Sequence, residues 1–295
     1  MKTHTIIIPT KDRPEMLVRA VNSALAAIDT KGEILVIDDN SKTPAVESLA
    51  HVNDARIHVY VNENSGGVAG VRNFGLSKSK GEIVFFLDDD DEILPDYCQR
   101  ILSLDPLPAY GFSSFLEVND FGKTKSQKMQ GRIRFSTGPI PDDAPLNKRI
   151  FGFNMGFWIK RNVFQNVGNI DENLTINEDT EYGCRLISAG LVAWYSAEPG
   201  MVIHTHNSAG AGDLHHITHR VTSDERAKCI LYVCESYPSM VHHLGRTYIK
   251  HCVKSNQFNT AWKFTRNQHD WKVRVNLYLL IFLKSVAYRL SGKMQ

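Results

Sequence analysis

The sequence predicts an α/β fold on a mostly parallel sheet, with helices on both faces. Three observations predict it. Short apolar runs at 5–8, 33–37, 56–61 and 82–87 alternate with segments of helical spacing. The runs are almost continuously apolar, as strands buried on both sides require. Polar residues gather just past their ends, at Pro9-Thr10, Asp38-Asp39, Asn62 and Asp88–Asp91. That edge is where ligands collect on such sheets.

TIII (5–8) reads as a buried strand stopped by Pro9. In 14–28, apolar residues at 17, 18, 21, 24, 25 and 28 define one helical face, and Pro14 suits a first turn. EILVI (33–37) is the second strand, 43–51 a helix, RIHVYV (56–61) the third strand, 68–78 a helix after Gly66-Gly67, and EIVFFL (82–87) the fourth strand. Residues 117–148 are polar and rich in Gly, Pro, Lys and Asp, which reads as an excursion or mobile loop. EDTEYGCRLISA (178–189) is helical with Gly190 as its cap, and LVAWYS (191–196) is a strand. The histidine- and glycine-bearing stretch 204–219 reads as flexible, and helix runs from about 224 onward.

The five cysteines form no CxxC pair, which fits a reducing cytoplasm rather than a disulfide framework. MKTHTIIIPT is too short in apolar residues for a signal peptide, and no window reaches the ~18 apolar residues of a spanning helix. Charge is unevenly placed. Residues 246–295 hold ten Lys/Arg and one acid, net +9, while the rest of the chain carries −7. A basic C-terminus points to an anionic partner, a membrane surface ahead of nucleic acid.

The acidic run Asp88–Asp91 follows a buried strand. Acids at a helix N-terminus would explain one or two of them. Four in a row point to a hard divalent cation, Mg2+ or Mn2+, shared with a diphosphate. On extended backbone Asp88 and Asp90 face the same side. Asp91 is left to cap a following helix. Asp38 and Asp39 read as a polar turn or as acceptors for a base or ribose. Asn64, Gly67 and Arg72 offer backbone N–H groups and a guanidinium to a diphosphate, although the pattern is neither G-x-G-x-x-G nor a P-loop. Glu178 and Asp179 open a predicted helix, as capping acids or as a general base. His204 and His206 are two apart, surface histidines or further metal ligands.

Taken in order, IIIPTKDRPEML (6–17), EILVIDDNS (33–41), NSGGVAGVRNFGLSKSKGEIVFFLDDDDEILPDY (64–97), GNIDENLTINEDTEYGCRLISAGL (168–191) and HTHNS (204–208) resemble the family 2 glycosyltransferases of the GT-A fold. The resemblance implies inverting transfer of a sugar from a nucleotide diphosphate donor, with Mn2+ or Mg2+ on the diphosphate. It implies that Pro9, Thr10, Arg13, Asp38, Asp39, Asn64, Gly67, Arg72, Asp88 and Asp89 border the nucleotide. Asp90, with Asp88, would hold the metal, and His206 or His204 would stand on the metal side. Asp179 would be the catalytic base, with Glu178 second. Lys11-Asp12 stand where many relatives carry tyrosine-asparagine, which removes an aromatic face for the base.

The expected organisation is a GT-A catalytic domain at 1–222, with a nucleotide-sugar half to about 97 and an acceptor half from about 98. A basic helical extension follows at 223–295. The expected activity moves a hexose or N-acetylhexosamine from a nucleotide diphosphate sugar, UDP favoured, to a saccharide acceptor. That acceptor is expected on undecaprenyl diphosphate, in O-antigen or capsule synthesis at the inner face of a bacterial membrane. Nucleic acid is not an expected partner, and association between copies is compatible with this reading. The rivals are a nucleotidyltransferase acting on sugar phosphates and a non-catalytic sugar-binding module.

Overall fold

The computed structural model describes residues 2–64, 66–119, 126–130, 135–205 and 221–290. It forms two compact units, Met1–Asn173 with Glu178–His215, and Leu174–Asn177 with His216–Gln295.

The first unit is organised by a mixed sheet of order β3-β2-β1-β4-β9-β6-β10-β5. β1 (His4–Thr10), β2 (Gly32–Asp38), β3 (Ile57–Val61) and β4 (Ile83–Phe86) are mutually parallel. Beyond β4 the sheet turns mixed. β9 (Trp158–Lys160) pairs antiparallel with both β4 and β6 (Tyr110–Asn119), and β10 (Trp194–Thr205) then runs parallel to β6. The short β5 (Glu92–Ile93) closes the order against β10.

The strand period of two divides the core between the two faces. Ile7, Leu35, Ile37, Val84 and Phe86 face one layer, with α3 (Gly67–Lys78), α6 (Arg161–Val167) and α7 (Glu178–Ser188). Ile6, Ile8, Ile34, Val36 and Phe85 face the other, with α1 (Pro14–Ala27) and α4 (Tyr97–Leu102). The alternation explains why β1, β2 and β4 are almost continuously apolar: neither of their faces is left to water. The first face is aromatic. The stretch FGFNMGFW brings Phe151 and Phe157 into a stack at 4.1 Å, flanked by Phe153, Phe86 and Tyr110.

Several elements differ from the sequence expectation. The helix expected at 43–51 is one turn, α2 (Ala45–Ser48). Part of the loop expected at 117–148 is ordered pairing: β7 (Ser126–Gln130) runs antiparallel to β6, and β8 (Gly138–Pro139) joins β10. A helical turn, α5 (Leu146–Arg149), follows. β6 was not evident because Ser113 and Ser114 interrupt its apolar run, yet both hydroxyls are buried and their hydrogen bonds reach backbone carbonyls. β10 does not stop at 196. It passes through Glu-Pro-Gly by an irregularity between Ser196 and Met201, then regains its register with β6.

The second unit is helical: α8 (Ser223–Ser236), α9 (Val241–Lys254), α10 (Phe258–Arg266) and α11 (Trp271–Leu290). Thr222 and Glu225 form a reciprocal capping box that starts α8.

A side chain at Gly111 would strike the Trp194 carbonyl oxygen and lie 2.8 Å from the Trp158 indole. Gly111→Ala is therefore expected to cost about 1–3 kcal/mol, read as a lower midpoint in equilibrium urea unfolding. An unchanged midpoint would show that β6 and β10 can part without loss.

Candidate active site

Because β1, β2 and β4 are parallel, their carboxyl ends share one edge, with Thr10 opposite Asp38 and Ile7 opposite Phe86. Loops carrying Thr10–Arg13, Asp38–Ser41 and Asp88–Asp91 therefore meet there. Asp12 adopts φ 55° and ties the first two together: its N–H donates to Ser41 Oγ at 2.9 Å, and its carboxylate accepts from Lys42 N–H at 2.7 Å.

Three of the four aspartates are at least nine-tenths buried. Positive groups and N–H or O–H donors from other elements face them. Thr10 Oγ1 donates to Asp89 at 2.7 Å, and Arg13 Nη1 bridges Asp89 at 2.8 Å and Asp90 at 2.9 Å. Arg72 Nη2 donates to Asp88 at 2.8 Å. The His204 backbone N–H donates to Asp91 at 3.0 Å, and Arg19 donates to the Asp90 carbonyl. Burial pushes the Asp89 carboxyl up to about 6, with Asp90 adding and Arg13 opposing. Burial, Asp90 and Asp88 push Asp91 well above the usual carboxylate range.

Within the run, Asp91 N–H donates to the Asp88 carbonyl at 3.1 Å. That turn brings Asp91 back toward Asp88 and Asp90. One oxygen from each of the three lies within 4.8 Å of the others. An all-carboxylate donor set of this spacing fits a hard divalent cation, whose remaining positions water or substrate oxygen can fill.

Arg72 is the junction of the site. Its Nη1 donates to Glu178 at 2.9 Å while Nη2 holds Asp88, and its guanidinium lies 4.5 Å over the Phe153 ring. One fully buried cation thus joins the acidic run to the acidic start of α7. Burial first, then the Asp179 charge, push the Glu178 carboxyl up to about 7, against the pull of Arg72. Asp179 accepts from Thr180 N–H at 2.6 Å and from its hydroxyl at 3.2 Å, which orients one carboxylate oxygen. The other oxygen would lie 3.4 Å from a Cβ at Gly152, where no side chain stands.

Other expected residues stand differently. Asp38 is buried, and its two oxygens accept from Ser41 and Ala45 N–H at 2.8 Å. Those bonds shape the turn before α2. Asp39 faces outward, bound by Lys11 at 2.8 Å. Asp91 caps no helix: β5 follows it, and Asp96 stands at the start of α4. The His204 ring meets Glu92 at 2.7 Å and lies outside the aspartate cluster. His206 lies outside the described residues. Pro9 lies next to the end of β1, in register with Ile37, Asn64 is exposed, and Gly67 opens α3 with φ 57°.

Sequence reasoning missed three positions. Asp91 was misplaced because extended geometry points it away from Asp88; only the turn returns it. Glu172 lies against Gly66 and Gly70, where a Cβ at Gly66 would be 2.8 Å from its carboxylate. Asn73 donates to Glu172 and to the Ile170 carbonyl, both at 2.8 Å, anchoring the segment ahead of α7. Neither contact has a local sequence signal.

A parallel-sheet edge bordered by an aspartate cluster and an acidic helix start suits a diphosphate ligand held with a divalent cation. The Glycosyl transferase family 2 model matches residues 5–168, and the chain belongs to that family. An uncharacterized glycosyltransferase of Haemophilus influenzae is 24% identical over 246 residues, 80% of this chain and 78% of its own. A Campylobacter jejuni GalNAc(5)-diNAcBac-PP-undecaprenol beta-1,3-glucosyltransferase is 40% identical over 93 residues, 30% of each chain. The fold matches S. aureus TarS 1-349 in complex with UDP-GlcNAc at TM-score 0.71 and 15% identity, over 98% of this chain and 92% of that one. The chain is thus a glycosyltransferase by family.

Two outcomes test the buried charges. Arg72→Ala leaves Asp88 and Glu178 uncompensated and is expected to cost about 3 kcal/mol, the low end for a buried pair because Asp88 partly meets water. Denaturant unfolding at pH 8 reads it, and unchanged stability would remove Arg72 as the junction. The second outcome concerns pH. With Glu178 raised from 4.5 to about 7, the folded chain keeps a proton that the unfolded chain has released. Its contribution to stability is therefore greatest below 4.5 and is lost as pH rises toward 7. Glu178→Gln is expected to flatten this part of the metal-free stability profile; an identical slope would contradict the assignment.

Proposed function

We propose that the chain is an inverting, metal-dependent hexosyl- or N-acetylhexosaminyltransferase. Its donor is a nucleotide diphosphate sugar, UDP favoured, and its acceptor is a saccharide on a lipid diphosphate in bacterial surface polysaccharide synthesis. The observation that carries this reading is the Arg72 bridge, which sets the metal-type carboxylates and the Glu178–Asp179 pair around one buried guanidinium. The undecaprenol-linked acceptor in the name of the Campylobacter relative supports the acceptor class. UDP-GlcNAc bound to TarS supports the donor class. With this acceptor, the enzyme works at the cytoplasmic face of the membrane.

Asp88, Asp90 and Asp91 would hold Mn2+ or Mg2+, which would supply charge stabilisation for the departing diphosphate. The Asp179 carboxylate accepts the proton of the acceptor hydroxyl. The freed oxygen pair forms the new bond at the anomeric carbon, while the old carbon–oxygen bond breaks and its electrons leave with the nucleotide diphosphate. One displacement inverts the centre. Thr180 fixes the orientation of Asp179, and Arg72 fixes Glu178 beside it. Thr10 and Arg13, already on Asp89, border the donor.

A screen of nucleotide sugars with Mn2+, reading released nucleotide diphosphate, identifies the donor. Asp90→Ala and Asp179→Asn are each expected to lower transfer by roughly 10²–10⁴-fold with melting temperatures preserved. Wild-type rates in both would remove the mechanism.

A further inference from the structure

The last helix of the second unit, α11, is apolar on both sides. Leu277 and Ile281 are buried, but Trp271, Val275, Leu279, Phe282, Leu283 and Val286 are exposed, from 40% to 62%. Their spacing of four, four, three, one and three residues places them on a single face along the helix. Trp262 of α10, itself 46% exposed, adds to that surface through Tyr278, with ring centroids 5.0 Å apart. A continuous apolar stripe rimmed by tryptophan is not an ordinary water-facing surface.

We propose that this face of α11 lies in the surface of an anionic lipid bilayer, with the helix parallel to the membrane plane. The proposal deepens the lipid-linked acceptor reading and rests on it for its purpose. Charge selects the occupant. Lys263, Arg266 and Lys272 are exposed around the stripe, and residues 246–295 carry net +9. Such a surface attracts anionic headgroups. A second copy brings the same +9 to the interface and is repelled. The stripe runs along the helix rather than around it, and no helix among the described residues is long and apolar enough to cross a membrane. Trp271 and Trp262 suit the headgroup level, where an apolar ring and a polar N–H are both satisfied.

The experiment uses the full chain and sedimentation with phosphatidylcholine vesicles, with and without phosphatidylglycerol. Neither donor nor acceptor is present. Strong binding is expected only with phosphatidylglycerol, and Leu279→Ser/Phe282→Ser is expected to weaken it roughly tenfold or more. Lys263→Glu/Lys272→Glu should weaken it and reduce its salt sensitivity. Both pairs alter exposed positions, and thermal melting verifies that each variant folds. Transfer to a water-soluble saccharide should be unchanged in both, so a failed activity assay counts against the enzymatic reading and a failed binding assay against this one. Equal binding by wild type and the Ser variant overturns the proposal. So does a dimer in light scattering that the same two serines dissolve, because a second copy would then cover the face.

Discussion

The site depends on how four adjacent carboxylates, three of them buried, are kept together. Burying such a run charged and unpaired is costly, and mutual repulsion would spread it. The chain answers with cations from other elements rather than from the run itself: Arg13 at the start of α1 and Arg72 from α3. Each guanidinium binds two acids at once, so each sets the distance between them. The consequence is architectural. The loop after β4 has a defined shape only when β1, α1 and α3 are in place, so the sheet order and the site are specified together.

Much of this was legible in the sequence. The parallel β1–β4 half follows from strand runs that stay almost continuously apolar, because helical residues cover both faces of the sheet. The acidic edge was legible for the same reason: once four strands are parallel, residues after each of them must meet. The resemblance also named Arg13, Arg72, Glu178 and Asp179, which the structure brings to that edge.

What was not legible arises from contacts between residues far apart in sequence. Asp38 reads like Asp39, but only one is turned inward to cap backbone N–H groups. Asp91 reads like a helix cap until a turn closes on Asp88. His204 reads like a metal ligand, but β10 runs against β5 and places its ring on Glu92. The long pairing of β6 with β10 was hidden by serines and by Glu-Pro-Gly, both of which mark turns locally. In each case local propensity is ambiguous and tertiary pairing decides.

The charge balance also constrains the order of events on the proposed reading. Arg13 and Arg72 face four aspartates together with Glu178 and Asp179, so acids outnumber the cations that bind them. Burial and mutual repulsion raise the Asp89, Asp91 and Glu178 carboxyls, which favours their neutral forms. A nucleotide diphosphate arriving alone would add negative charge to a site already in excess. A divalent cation held by Asp88, Asp90 and Asp91 would bring the opposite sign, sharing Asp88 with Arg72 and Asp90 with Arg13. Arg72 also holds Glu178 and lies over the Phe153 ring, so sharing Asp88 with a cation would leave it anchored between the acidic run and α7. The same guanidinium that offsets the acidic run without metal would, on the proposed reading, hold the geometry in which donor and base face each other.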